Sequence, residues 1–138
     1  MTNKGLVLHK LGTLRTHVER LVRRRPEALD LLQHDVDLQD AIGMSVLVAV
    51  QEAVDIAFHI ATDEGFGLPA SNAESFDLLA KHHVVSSELA AALVRAAGLR
   101  NRLAHGYASI DVVRLWNELP EGVRALSEFS KAVASWLG

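Results

Sequence analysis

AIGMSVLVAVQEAVDIAFHIA, Ala41 to Ala61, is the most apolar window of the chain. Gln51, Glu52, Asp55 and His59 fall inside its 21 residues, which is too polar for a membrane span. The window reads instead as a helix buried on most sides. Ile42, Val46, Val50, Val54 and Ala57 or Phe58 recur at helical spacing. The spacing predicts one helix from near Asp30 to about Ala61, long enough to be the spine of a bundle.

Upstream, Leu11, Leu14, Val18, Leu21 and Val22 carry the same period through a segment from about Leu6 to Arg25, which Pro26 ends. Downstream, DEGFGLPAS is a loop with two glycines and a proline. Ser71 followed by Glu74 fits a capping box and opens a short helix through Phe76, Leu78 and Leu79. HHVV breaks that pattern. Ser86 or Ser87 caps the next helix, ELAAALVRAAGLRNRLAH, which Gly106 terminates. Asp111 caps a last helical stretch to Leu137, in which Pro120 and Gly122 are expected to make a kink or a split. There is no internal repeat and no convincing strand run. The expected fold is all-α: one domain over residues 1–138, an up-and-down bundle of about five helices.

Bulk properties agree with this. The 138 residues are 49% hydrophobic and 22% charged, an ordinary globular composition without disorder. Such a length buries roughly two-thirds of the unfolded surface, enough for a core without staples. The chain has no cysteine, which excludes disulfide scaffolds and thiolate zinc sites and suits a cytoplasmic location. No signal-peptide h-region opens it. The net charge of −3 is not that of a strongly basic nucleic-acid binder. Basic residues are nevertheless clustered: Arg15, Arg20, Arg23, Arg24 and Arg25 in the first quarter, Arg95, Arg100 and Arg102 later. An acidic block, Asp30, Asp35, Asp37 and Asp40, follows the first group.

GLRNRLAHGY, Gly98 to Tyr107, departs from the apolar helix that leads into it. Asn101 and His105 are four residues apart and share a face, so the amide is placed to orient the imidazole. Arg100 and His105 diverge by about 140° with a rise of about 7.5 Å, so they do not form one stripe. A swinging arginine, fraying at Gly106, or two copies facing each other across a dimer would each bring them together. Arginine plus histidine is a minimal set for RNA cleavage without metal. Histidine moves protons near neutral pH, and a guanidinium stabilises the charge that builds on phosphate. His82 and His83 have no carboxylate cluster beside them, so no metal or other cofactor is expected.

The pattern R-x4-H-x-Y, Arg100, His105 and Tyr107, within G-[LF]-R-N-x-L-x-H-G-Y, resembles the HEPN superfamily, and more narrowly its HepT toxin branch. LQDAIGMSVLVAVQEAVDIAFHIATDEGFGLPAS and SFDLLAKHHVVSSELAAAL are similar to that family's long helix, loop and following segment, so the likeness runs from about Leu6 to Leu137. The resemblance implies an all-α homodimer whose arginine and histidine line a cleft at the interface. It implies a metal-independent endoribonuclease toxin of a two-gene toxin–antitoxin module. The partner it implies is a minimal nucleotidyltransferase antitoxin that neutralises the toxin by transferring AMP to the tyrosine. Carried over, Arg100 stabilises phosphate, His105 is the acid/base, Asn101 supports them and Tyr107 is modified. The substrate it implies is RNA; neither DNA nor a membrane is expected as a partner.

Plainer readings stand beside these. Polar residues at a helix end cap it, and histidine suits a C-terminal dipole. Gln51, Asp55 and His59 form an i, i+4, i+8 stripe, either a satisfied buried network or a supporting layer behind the motif helix. Arg20, Arg23, Arg24 and Arg25 read as a solvated helix end or as an RNA or partner contact. Arg102 adds phosphate attraction or is a surface arginine. His82 and His83 read as surface residues, and Trp116 and Trp136 as packing. The alternatives to a nuclease are a non-catalytic helical module that partners a nucleotidyltransferase, and a purely structural bundle.

Overall fold

A computed structural model describes residues 1–106 and 110–138. Among these residues the chain forms six α-helices and no strand: α1 (Lys4–Arg24), α2 (Leu29–Gln33), α3 (Val36–Asp63), α4 (Asn72–Lys81), α5 (Ser87–His105) and α6 (Val112–Leu137). The all-helical expectation holds, with one more helix than anticipated.

The extra helix comes from a break inside the segment expected to begin near Asp30. Asp35 takes an extended conformation, and its carboxylate accepts from the Leu38 N–H at 3.0 Å, capping α3. The short α2 is thereby separated from α3. At the end of α1, Arg25 is extended (ψ 117°), as the residue before a proline must be. Ser71, Ser86 and Asp111 cap α4, α5 and α6 through side-chain oxygens that accept from Glu74, Leu89 and Arg114 N–H groups. Gly65 (φ 71°) and Gly67 (φ 127°) turn the chain between α3 and α4 in conformations costly for any other residue. His83 makes the turn after α4 with φ 63°. His82 stacks on Phe66, with ring centroids 3.9 Å apart, and ties that turn to the glycine loop.

One hydrophobic cluster draws on all six helices. Helix α3 is its spine and touches each of the other five. Ile42, Val46, Val50, Val54 and Ala57 are all buried, as their spacing predicts. By length and composition α3 could also cross a membrane, so its four polar residues do not by themselves exclude a span. In the bundle more than half of its most apolar window is buried, which is how a core helix behaves. Helices α1 and α3 run antiparallel, with His17 beside Ser45 and Lys10 beside Asp55. Leu11, Leu14, Val18 and Leu21 of α1 are buried, but Val22 is 63% exposed, one position outside the stripe. Phe76 of α4 meets Phe129 of α6 edge-on at 6.0 Å, closing the core.

Helix α6 neither splits nor ends at Pro120 and Gly122. Pro120 lies on its outer half and is exposed, while Leu115, Leu119 and Leu126 bury the opposite face, where the half-buried Gly122 sits beside Leu119 and Leu126. Packing of that face outweighs the one backbone hydrogen bond that proline removes.

Candidate functional site

The site is built on the last turn of α5. Leu99 and Leu103 are buried and fix the rotation of this turn against the core. That rotation sends Arg100 and His105 to different sides.

Arg100 turns toward α3. Its Nη2 donates to Gln51 Oε1 at 3.0 Å, and its Nη1 donates weakly to Asn101 Oδ1 at 3.4 Å. Among the described residues its Nε is buried without a partner. Gln51 in turn donates from Nε2 to Asp55 Oδ1 at 2.8 Å. Lys10 of α1 closes the line, with Nζ 3.3 Å from Asp55 Oδ2 and 3.7 Å from Glu52. The relay Lys10–Asp55–Gln51–Arg100 therefore crosses three helices. Gln51 cannot neutralise Arg100; it orients the guanidinium and leaves the charge intact. His59, the third member of the predicted stripe, is half-buried and takes no part in this line.

His105 is exposed and lines a cavity of about 370 Å³ on the α6 side, with Arg102, Asp111 and Arg114 around it. Gly106 terminates the helix without a positive φ; its N–H donates to Arg102 O at 2.8 Å. A Cβ there would lie 2.9 Å from that same oxygen, so the close approach demands glycine. Asn101 presents its amide oxygen to Arg100 and makes no bond to His105, contrary to the shared-face expectation. Tyr107, the expected modification site, lies outside the described residues.

Charged partners that the sequence did not single out complete the surroundings. Glu118 receives Arg102 Nη2 at 2.5 Å and Arg114 Nε at 3.5 Å. Glu118 and Arg114 are four apart on α6, a readable helix pair; the link to Arg102 is not readable. Lys10 carried no signal either, since it is one lysine on the flank of an amphipathic helix. At the end of α1, Arg25 lies over the Trp116 ring at 3.7 Å and its Nε is buried without a partner. His17 bonds Ser45 Oγ at 3.2 Å. Its pKa is lowered by burial first, then by Arg20 and Arg24, with Glu52 opposing. Among the described residues no group of three or more histidines and carboxylates is placed to hold a metal ion.

The chain is 27% identical over 107 residues to the mRNA nuclease HepT of Shewanella oneidensis, covering 78% of this chain and 80% of that protein. It is 31% identical over 87 residues to the tRNA nuclease HepT of Aphanizomenon flos-aquae, covering 63% and 59% respectively. Its fold superposes with a TM-score of 0.86 on the tri-AMPylated HEPN toxin of Shewanella oneidensis, solved in complex with its MNT antitoxin. That match is 22% identical and covers 98% of this chain and 99% of the other. The sequence model of the ribonuclease HepT-like family matches residues 14–133, a span that includes α3, Gln51, Asp55, Arg100 and His105, and this chain belongs to that family.

Proposed function

We propose that this protein is a metal-independent endoribonuclease, the toxin of a two-gene toxin–antitoxin module in the cytoplasm. One observation carries the reading. Arg100 is held by a neutral amide that orients its charge without cancelling it, on the same helix end as an exposed histidine, in a chain of the HepT-like family. The names of the two nuclease relatives and the toxin–antitoxin complex among the solved structures support it.

In this mechanism the 2′-hydroxyl of RNA attacks the adjacent phosphorus and the 5′-oxygen leaves. A cyclic phosphate and a free 5′-hydroxyl result. His105 takes the attacking proton or gives one to the leaving oxygen. Arg100 faces the phosphate oxygens as charge builds there. Within one protomer the two side chains lie on different sides of α5, toward α3 and toward α6. This supports a homodimer in which facing copies complete the site. Tyr107 follows His105 by two residues, and an AMP group attached to it would bring a bulky anion against Arg100. Such modification by a minimal nucleotidyltransferase antitoxin is the proposed neutralisation. Gln51 and Asp55 are positioning residues for Arg100, and Asn101 supports it.

The test is expression in a bacterial host of wild type, Arg100→Ala and His105→Ala, alone and with the neighbouring gene, following growth and RNA. Wild type alone is expected to degrade RNA and arrest growth. Each variant is expected to lose about 10²–10⁴-fold in cleavage, roughly 3–5 kcal/mol of barrier. A purified variant that cleaves like wild type refutes the mechanism. Harmless wild type with intact RNA moves the reading to a partner-binding module. Mass spectrometry of the Tyr107 peptide from co-expressed, inhibited protein checks the AMP group; an unmodified peptide removes it.

A further inference from the structure

Two arginines of α5 and α6 are matched one to one with carboxylates. Arg95 pairs with Glu121 at 2.6 Å and Arg124 with Glu128 at 3.4 Å. Arg102 and Arg114 differ: among the described residues they share the single carboxylate of Glu118. Asp111, the other nearby acid, accepts the Arg114 N–H to cap α6. Two guanidiniums thus converge on one carboxylate beside His105, with the Asp111 carboxylate also lining the cavity. Arg114 makes the longer of the two contacts, 3.5 Å through Nε, and its side chain is 53% exposed. It also lines the cavity beside His105.

The floor beneath these cations is apolar. Leu99, Leu103 and Leu115 are buried and Ile110 is half-buried along the same cavity. Its volume, about 370 Å³, is that of a site for one small polar molecule. An apolar floor with a cationic rim fits a nucleotide: the face of a base or ribose below, a phosphate at the rim. We infer that this cavity is an RNA subsite, in which Arg114 and Arg102 grip a backbone phosphate next to the one being cleaved. Glu118 competes with that phosphate and keeps the grip weak until RNA arrives. The inference rests on the ribonuclease reading, because it places the strand beside His105.

The experiment is anisotropy titration of a fluorescent, fully 2′-O-methylated RNA 12-mer, which cannot be cleaved, at several salt concentrations. Arg114→Ala is expected to weaken binding roughly tenfold at low salt and to lower the salt slope by about 0.7, one phosphate contact on a single strand. Glu118→Gln frees both arginines and is expected to tighten binding several-fold. Arg124→Ala, paired with Glu128 on the same helix, is expected to bind like wild type. If Arg114→Ala and Arg124→Ala bind alike, if Glu118→Gln fails to tighten, or if wild type does not bind the oligonucleotide, the subsite is overturned. His105→Ala tests the catalytic reading separately, on cleavable RNA. Loss of binding in Arg114→Ala with unimpaired cleavage by His105→Ala would keep the subsite and reject the catalytic assignment.

Discussion

Replacing Gln51 by leucine tests the relay that orients Arg100. The substitution keeps the side-chain volume and removes two hydrogen bonds, each to a charged group: Arg100 at 3.0 Å and Asp55 at 2.8 Å. Bonds to charged groups contribute about 1.5–3 kcal/mol each when buried. Both partners here are partly open, Asp55 with 36% of its side chain exposed, so water replaces much of what is lost. A net destabilisation of about 2 kcal/mol is expected. For a chain of this length each kcal/mol moves the midpoint by about 3.5 °C, so Tm should fall by about 7 °C. Activity should fall further than stability explains. Arg100 would keep only the long contact to Asn101, and a misplaced phosphate ligand costs about 100-fold in kcat/KM. Calorimetry and single-turnover cleavage below the lowered Tm read the two effects independently. Asp55→Asn leaves Gln51 an acceptor oxygen and should stay within a few-fold of wild-type activity. A Gln51→Leu protein with a lowered Tm but wild-type kcat/KM would refute the positioning role. An unchanged Tm would refute the energetic reasoning.

Phe129 is fully buried against Phe76, so Phe129→Ala should cost about 3–5 kcal/mol, read as a shifted urea midpoint. Gly106→Ala places a methyl 2.9 Å from Arg102 O and should cost about 1–3 kcal/mol, with reduced cleavage because the adjacent His105 must move. The lowered pKa of His17 means the unfolded chain binds its proton more readily than the folded one. Stability is therefore full above the ordinary histidine value of about 6.5 and is lost as pH falls below it, until the lowered folded value is passed. His17→Gln should flatten Tm against pH in that window; an unaltered slope would exclude His17 as its source.

Much of the fold was legible because α3 and α1 obey one strong period, and because Asp111, Ser71 and Ser86 are oxygen-bearing caps ahead of apolar runs. The break at Asp35 was missed because an aspartate within an acidic block looks like surface charge, not a cap. The split expected at Pro120 from local propensity does not occur because of the tertiary packing of Leu115, Leu119 and Leu126. In the site, the 100° turn per residue already separated Arg100 from His105. Gln51 and Asp55 were visible as polar residues on an apolar helix, and the structure joins them to Arg100. Lys10 and Glu118 were invisible because their importance lies in which helix they face, a property of the assembled bundle. Asn101 went the other way: four-residue spacing made His105 its neighbour, but the adjacent guanidinium is the stronger donor.

The relay from Lys10 to Arg100 carries a consequence for genetics. A selection for cells that survive expression of this protein should not return substitutions in the motif alone. Survivors should also map to the flank of α1 and the outer face of α3, at Lys10, Asp55 and Gln51, far from Arg100 in sequence. Such survivors would make a folded protein with an intact motif, and would be mistaken for regulatory mutants.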